Sequence, residues 1–254
     1  MSLKSFMEDA YQGRARAKRL DTHQGDMIFG LEDLADRVGT KPDRAEVEAL
    51  VPADENLLCR LIAAKPGKKY RILWGYLSSI AAERSPGPLR LPADDFAGLE
   101  LRGGSIILEG AADHVGERMS SGRILVRGAA GDYLGQEMSG GRIIAGGCKD
   151  YAFRNMRGGF GVVRGNSGNY AGVGNSGGKI VVLGNCGERA GWLMRGGSML
   201  IAKDAGDYLG LLMSGGMITV KGRAGKRAGW RRKGGSIRAE SFGPEAADGV
   251  LGLD

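Results

Sequence analysis

The C-terminal two-thirds of the chain, from about residue 92 to about 242, carries a pattern of glycine and aliphatic residues that repeats every 18 or 19 positions. A glycine, usually the second of a Gly-Gly pair, marks each repeat, and we call these residues the anchor glycines: Gly104, Gly122, Gly141, Gly159, Gly178, Gly197, Gly216 and Gly235. Aliphatic residues mostly follow two and four positions later, such as Ile180 and Val182 after Gly178. This alternation predicts a short strand in each repeat, with one face buried.

A repeat of this length predicts stacked β structure. A unit of about 19 residues cannot bury its own apolar face, but stacked units can share one core. Leucine-rich repeats would need a regular leucine ladder, which this sequence lacks, and helical repeats would need longer units with less glycine. Glycine suits the corners of a coil because it adopts positive φ without a steric clash. We therefore expect a mainly β fold, a parallel β-helix of about seven to eight coils.

The first third of the chain is poor in glycine and helical in period. The apolar residues of 31–38 fall on one helical face, and Asp54 is a candidate N-cap for a later helix. A DNA-binding helix-turn-helix is an alternative for 31–50, but its second helix carries more carboxylates than cations, which disfavours a phosphate backbone. We expect helices that cap one end or one side of the β-helix. The chain divides into a helical N-terminal region at 1–91, the β-helix at 92–242 and a C-terminal tail at 243–254.

One column of the repeat is more apolar than its position suggests. The residue three positions after each anchor glycine lies between the two buried columns and should point outward. It is aliphatic in the first six repeats, and we call these residues the hydrophobic ladder: Ile107, Leu125, Ile144, Val162, Val181 and Leu200. The column then continues with Thr219 and Arg238. A solvated sheet face is normally polar, so we expect either the N-terminal helices or a partner protein to contact the ladder.

Composition and charge narrow the class of protein. Glycine provides 46 of 254 residues, yet no three-residue period indicates collagen, and a hydrophobic content of 42% excludes plain disorder. The formal net charge is +7, and residues 219–240 alone carry eight basic residues and one acidic residue. This basic end either discourages strand addition at an open edge or docks an acidic partner. No apolar run is long enough to span a membrane, so we expect no membrane insertion. The first residues lack a signal-peptide core, and the three cysteines lie far apart, as in proteins of a reducing compartment. We therefore expect a cytoplasmic location.

The sequence offers few residues for catalysis. It has two histidines, and His114 falls in a column of mostly tyrosine and arginine, where it is expected to replace an aromatic ring in a stack. The neighbouring acidic column, which begins at Asp113, is expected to accept hydrogen bonds from the amides of turns rather than to bind calcium. Cys148 and Cys186 are expected to be buried thiols and not a metal pair. We therefore predict no catalytic, cofactor-binding or metal-binding residues, and we do not expect nucleic acid as a partner.

The repeat resembles a known family, the proteins with a GXGXG domain. The unit GDYLGLLMSGGMITV at 206–220 and the unit GNSGNYAG at 165–172 are similar to the GXGXG-domain subunit of formylmethanofuran dehydrogenase and to its bacterial relative in the formyltransferase/hydrolase complex. A more distant likeness is to the last domain of the glutamate synthase large subunit. The resemblance covers 96–240, and it implies a right-handed β-helix that has no catalytic residues of its own and holds catalytic parts together.

This resemblance implies a non-catalytic structural subunit of an oxidoreductase or formyltransferase complex in one-carbon metabolism, with other protein subunits as its partners. Two alternatives stay open. The chain could be the GXGXG subunit of a split amidotransferase of the glutamate synthase type, where it would help enclose an ammonia path. It could also be a free-standing assembly or binding protein.

Overall fold

The computed structural model describes residues 30–63 and 66–253. Its strands form one parallel sheet, in which each strand pairs with the next one along the chain. The strands are β1 (Leu89–Pro92), β2 (Arg102–Glu109), β3 (Ser121–Ala129), β4 (Arg142–Gly147), β5 (Phe160–Val163), β6 (Lys179–Val182), β7 (Arg195–Ile201), β8 (Gly215–Ala224), β9 (Ser236–Phe242) and β10 (Leu251–Gly252). The chain therefore winds as a β-solenoid of about eight turns. The predicted mainly β fold, with stacked parallel coils, is confirmed.

The core of the solenoid lies on the inner side of this sheet. Parallel register places Ile124 beside Ile143 and Val126 beside Ala145, so equivalent positions of successive repeats stack on one another. The residues two and four positions after every anchor glycine are buried, as the alternation predicts. Full burial of a Val, Leu or Ile side chain contributes roughly 1.5–3 kcal/mol, so the aliphatic residues of these two columns stabilise the solenoid.

One repeat exchanges a small and a large residue across the core. Gly161 stands where the other repeats have isoleucine or methionine, and Phe153 stands where they have glycine. The Phe153 side chain is fully buried, and its ring fills the space beside Gly161, because a Cβ added there would lie 2.4 Å from two ring carbons. The two departures from the repeat therefore compensate each other.

The anchor glycines form tight corners between closely stacked turns. All eight have φ between +68° and +88°, a left-handed conformation that glycine adopts without a Cβ clash. At Gly141, a Cβ would also lie 2.9 Å from the carbonyl oxygen of Gly122, the anchor of the preceding turn. Backbone conformation and close stacking both require glycine at this corner.

Four α-helices precede the solenoid within the described residues. They are α1 (Leu31–Val38), α2 (Arg44–Leu50), α3 (Glu55–Ala63) and α4 (Arg71–Arg84), with a 3-10 turn at Lys68–Tyr70 before α4. Gly39 ends α1 with φ of +80°. Asp43 begins α2 through a capping box with Glu46, and the Asp54 carboxylate accepts the N–H of Asn56 at the start of α3, as predicted for an N-cap.

Helix α4 closes the N-terminal end of the solenoid, and its residues 73–82 are all buried. The Ser78 hydroxyl accepts a hydrogen bond from the N–H of Gly98 at 3.0 Å, and the Ser79 hydroxyl donates one to the carbonyl of Leu99 at 2.7 Å. Backbone groups of the first turn, which have no preceding turn, thus bind side chains of α4. The helices cap one end of the rod, which is one of the two positions that the sequence predicts, and they shield its open edge.

Arg44 is part of this cap and is almost fully buried. It donates hydrogen bonds to the carboxylates of Glu48 and Glu83, both at 2.6 Å, and to the carbonyl of Glu100. Burial opposes the charge of Arg44, but the hydrogen bonds from its guanidinium to Glu83 and Glu48 outweigh this and raise its pKa. Arg44 was the cation of the second helix in the helix-turn-helix alternative. Its burial leaves that helix without a cation for a phosphate backbone.

Both ends of the solenoid extend past the expected boundaries. Strand β1 begins at Leu89, inside the region 1–91 that the sequence assigns to helices, and it pairs with β2. Strand β10 lies inside the expected tail 243–254 and pairs with β9. Gly87 occupies the anchor position before β1 but lies 17 residues before Gly104, and Asp248 occupies that position before β10, so the 18- or 19-residue pattern did not extend to these strands.

Candidate protein-contact face

The hydrophobic ladder lies at the centre of what we call the outer face, the residues one, three and five positions after each anchor glycine. Parallel pairing places Ile107 beside Leu125, Leu125 beside Ile144 and Val162 beside Val181. Each ladder side chain is partly exposed, while its neighbours along the strand are buried. The six side chains therefore form an aliphatic stripe along the surface of the rod.

Two further apolar side chains widen this stripe. Leu183 lies two residues beyond Val181 on the same face and is 46% exposed. Met217, directly after Gly216, is 47% exposed. Single exposed apolar residues are ordinary on a protein surface, but a group around a continuous stripe is typical of a contact surface.

Cations without a carboxylate partner flank the ladder on both sides. Arg123, Arg142 and Lys179 lie in the column directly after the anchor glycines, and Arg164 lies on the opposite flank. None of these four forms an ion pair within the part of the chain that the structure describes. The Arg142 guanidinium instead lies 5.1 Å from the ring centre of Phe160. These cations are free to meet charges on another molecule.

Carboxylates are confined to the two ends of the outer face. Glu109 on β2 pairs with Arg127 at 3.0 Å, and Glu240 lies on β9. The strand segments between them, which carry most of the ladder, contain no acidic residue: 123–127, 142–146, 160–164, 179–183 and 198–202. This charge pattern was not predicted from the sequence, although the columns one and five positions after the anchor glycines reveal it.

The described helices do not supply a cover for most of the ladder. They pack on β1 and β2, at the N-terminal end of the rod. Val162 and Val181 lie several turns away from that end and are partly exposed. Residues 1–29 lie outside the described residues. Within the described residues, no helix covers the middle of the ladder.

The predicted column of stacked rings is confirmed on another corner of the rod. Ring centres lie 4.6 Å apart between Phe96 and His114, 4.7 Å between His114 and Tyr133, 5.0 Å between Tyr133 and Tyr151, and 4.8 Å between Tyr151 and Tyr170. His114 thus replaces an aromatic ring in the stack. The other histidine of the chain lies outside the described residues.

The same column has a left-handed backbone, which the sequence pattern did not predict. The φ angles are +58° at His114, +59° at Tyr133 and +60° at Tyr208. Such angles cost a side-chain-bearing residue of order 1–3 kcal/mol. Ring stacking contributes about 0.5–1.5 kcal/mol for each pair and offsets part of this cost. These left-handed positions carry side chains, so a search for glycine alone does not identify them.

The acidic column binds backbone amides, as predicted. The Asp113 carboxylate accepts the N–H of Asp132 at 2.8 Å, and the Asp132 carboxylate accepts that of Asp150 at 2.9 Å. Further along, the backbone N–H of Lys226 donates to Asp207 and lowers the pKa of this carboxyl. Among the described residues, no group of three or more His, Cys, Asp or Glu is placed to hold a metal ion.

The thiols of Cys148 and Cys186 lie along one corner of the solenoid, on either side of Ser167. Cys186 is buried, and Cys148 donates a hydrogen bond to the Ser167 hydroxyl at 3.2 Å. Burial raises the pKa of Cys148 to about 11 and that of Cys186 to about 12. Both thiols therefore stay protonated near neutral pH. A nucleophilic or metal-binding cysteine reacts as the thiolate, so these two residues are unsuited to either role.

Part of the basic C-terminal end has a structural role. Arg232 donates hydrogen bonds to the carbonyls of Asp248 and Gly249, and Arg227 pairs with Glu245 at 2.7 Å. Both arginines tie the C-terminal segment to the last turns of the solenoid. These two residues therefore help to hold the C-terminal segment against the end of the rod.

A search of protein-family models and of curated proteins finds no match to this chain. No helix in the described part of the chain is long and apolar enough to cross a membrane. The outer face is therefore the feature from which a function is best inferred.

Proposed function

We propose that this chain is a non-catalytic structural subunit of a multi-subunit enzyme complex, of the formylmethanofuran dehydrogenase or formyltransferase/hydrolase type. The outer face, with its exposed aliphatic stripe, is the observation that carries the proposal. The assignment to one-carbon metabolism rests on the resemblance of the units at 165–172 and 206–220 to the GXGXG domain. In this proposal, other subunits carry out the chemistry and bind the substrates.

The size of the stripe supports a stable contact. The ladder side chains are already partly buried, so complete coverage would contribute about 1 kcal/mol for each residue, less than burial from a fully exposed state. Six ladder residues with Leu183 and Met217 would then contribute of order 8 kcal/mol. Association itself costs about 4–15 kcal/mol in lost freedom. The stripe offsets much of this cost, and polar contacts beside it would supply the remainder.

The test compares two adjacent valines that point to opposite sides of β5. Val162 lies on the outer face, and Val163 is fully buried in the core. Val162→Asp is expected to lower the melting temperature of the isolated chain by no more than about 4 °C, which corresponds to roughly 1 kcal/mol in a chain of this size. Val163→Asp buries an unpaired charge and is expected to unfold it.

In the native host, the tagged wild-type chain should co-purify with other subunits, and Val162→Asp should lose them while remaining folded. Partners that resemble an amidohydrolase or a molybdopterin protein would support the one-carbon assignment. A partner with an FMN-binding barrel would instead assign the chain to a split glutamate-synthase-type enzyme. A Val162→Asp variant that assembles like the wild type would refute the contact role of the ladder.

A further inference from the structure

The charges beside the hydrophobic ladder indicate what kind of partner segment the outer face accepts. Arg123, Arg142 and Lys179 line one flank of the ladder and Arg164 lines the other, without an ion-pair partner in the described parts of the chain. A partner that buried these cations against apolar atoms would meet a large desolvation penalty. A partner that carries carboxylates on both sides of an apolar stripe would satisfy them instead.

The dimensions of the face fit a single helix that lies along the rod. The step between neighbouring strands is about 4.8 Å, so the six-residue ladder is roughly 24 Å long. A helix of about 16 residues has this length at a rise of 1.5 Å per residue. The columns one and five positions after an anchor glycine are roughly 13 Å apart, close to the 10–12 Å diameter of a helix with its side chains.

We propose that the outer face binds an amphipathic helix of a partner subunit, about 16 residues long, whose aliphatic stripe is flanked by Asp or Glu. This inference rests on the proposed function, because it assumes that the outer face is a contact between subunits. The aliphatic stripe of the helix covers the ladder. Its carboxylates pair with Arg123, Arg142 and Lys179 on one flank and with Arg164 on the other.

Charge disfavours two occupants from the chain itself. A second copy would bring its own Arg142 and Lys179 against the same cations, and like charges across an interface repel. The N-terminal segment 1–29 also offers no surplus of carboxylates for these cations, because it carries five basic and four acidic residues.

Side-chain shape disfavours nucleic acid and membrane. The ladder has aliphatic side chains, whereas single-stranded nucleic acid is bound by aromatic rings on which bases stack. The ladder also contains no Trp or Phe, the large rings that an amphipathic membrane-binding helix inserts into the bilayer interface. A partner protein remains the best match.

The experiment uses the full chain in its native complex and reverses charges in matched pairs. Arg142→Glu with Lys179→Glu alters the outer face, and Lys149→Glu with Arg154→Glu makes the same change of net charge in the segment between β4 and β5. We expect the first pair to weaken retention of the partner by at least about tenfold, since it places carboxylates against carboxylates, and the second pair to change it less than about twofold. The effect of the first pair should shrink as salt screens the charges.

A zero-length carbodiimide cross-link then identifies the partner groups, because it joins a lysine amine directly to a carboxylate. In the wild-type complex we expect Lys179 to be joined to Asp or Glu of a partner. Arg142 lies two turns and Arg123 three turns from Lys179, so Arg142→Lys should add a link to a carboxylate about seven residues away in the same partner segment, and Arg123→Lys a link to one about ten or eleven residues away. This spacing is the signature of one helix face.

The outcomes separate this inference from the proposed function. Assembly that is lost in Val162→Asp but unchanged in the Arg142→Glu, Lys179→Glu pair would refute the acidic helix and leave the subunit role intact. The same holds if Lys179 is joined to no carboxylate of the intact complex. A chain that elutes alone from native extract would overturn both proposals. Charge-dependent sedimentation of the chain with phosphatidylserine vesicles, without any protein cross-link, would assign the face to a membrane surface and refute the helix.

Discussion

Exchanging Phe153 and Gly161 for the residues that other repeats carry tests how the solenoid packs its core. Phe153→Gly alone removes a fully buried ring and leaves a cavity beside Gly161, so we expect it to destabilise the chain by about 3–5 kcal/mol, as Phe→Ala does in other cores. Gly161→Ile alone places a side chain where a Cβ would already lie 2.4 Å from the ring, and we expect a loss of about 1–3 kcal/mol or more from overpacking.

The double variant should be much more stable than the two single losses suggest. It gives this repeat the glycine and isoleucine that most other repeats have, and the isoleucine occupies the space of the removed ring. The backbone also suits the change, because φ at Phe153 is +56° and glycine adopts this angle readily. We expect the double variant to lie within about 1 kcal/mol of the wild type, a coupling of at least about 3 kcal/mol between neighbouring sites.

Urea unfolding of the four proteins, followed by circular dichroism, measures this coupling. The comparison is valid where the four unfolding curves have similar m values. Strictly additive losses would refute the interpretation that Phe153 and Gly161 form one packing unit. A Gly161→Ile variant as stable as the wild type would show that the ring does not fill this space.

Two further predictions concern the corners and the thiols. Gly210→Val should destabilise the chain by more than about 1 kcal/mol, because φ is +63° and a Cβ would lie 2.5 Å from Ile237, whereas Gly67→Val, at an ordinary φ of −64° with open space around it, should melt with the wild type. Equal melting of both variants would contradict a strained corner at position 210. At pH 8 one thiol per chain, the exposed Cys59, should react quickly with an aromatic disulfide reagent, and the two thiols with raised pKa values should react only after unfolding. Rapid reaction of three thiols in the folded chain would contradict their burial.

The repeat is strong enough in sequence for the solenoid to be predicted. Buried positions recur at a fixed distance from each anchor glycine. Because equivalent residues of a stacked fold have the same surroundings in every turn, the eight repeats all support the same predicted strand. The compensating exchange at Phe153 and Gly161 could not be predicted from the repeat pattern. Each residue departs from its own column, and only the packing shows that the two meet.

The outer face was predicted in part. Alternation along the strand identified the hydrophobic ladder, because a residue between two buried positions must point outward. The flanking cations were not predicted, because Arg123 and Arg164 belong to different columns of the repeat and each column mixes cations with other residue types. The arrangement of α4 at the end of the rod is set by contacts between distant segments, such as Ser79 with Leu99, and these have no periodic signal in the sequence.

Hydroxyl-radical footprinting of the isolated chain and of the native complex tests the contact role of the outer face most directly. Leu183 and Met217 are among the most exposed large apolar side chains of the described structure and lie beside the ladder, whereas Trp230, 38% exposed, lies away from it and reports on general changes. Oxidation of Leu183 should fall at least about fivefold in the complex, since covered side chains are shielded from solvent. Equal oxidation of Leu183 in the isolated chain and in an intact complex would contradict the account, because the outer face would then be bare in the assembled protein.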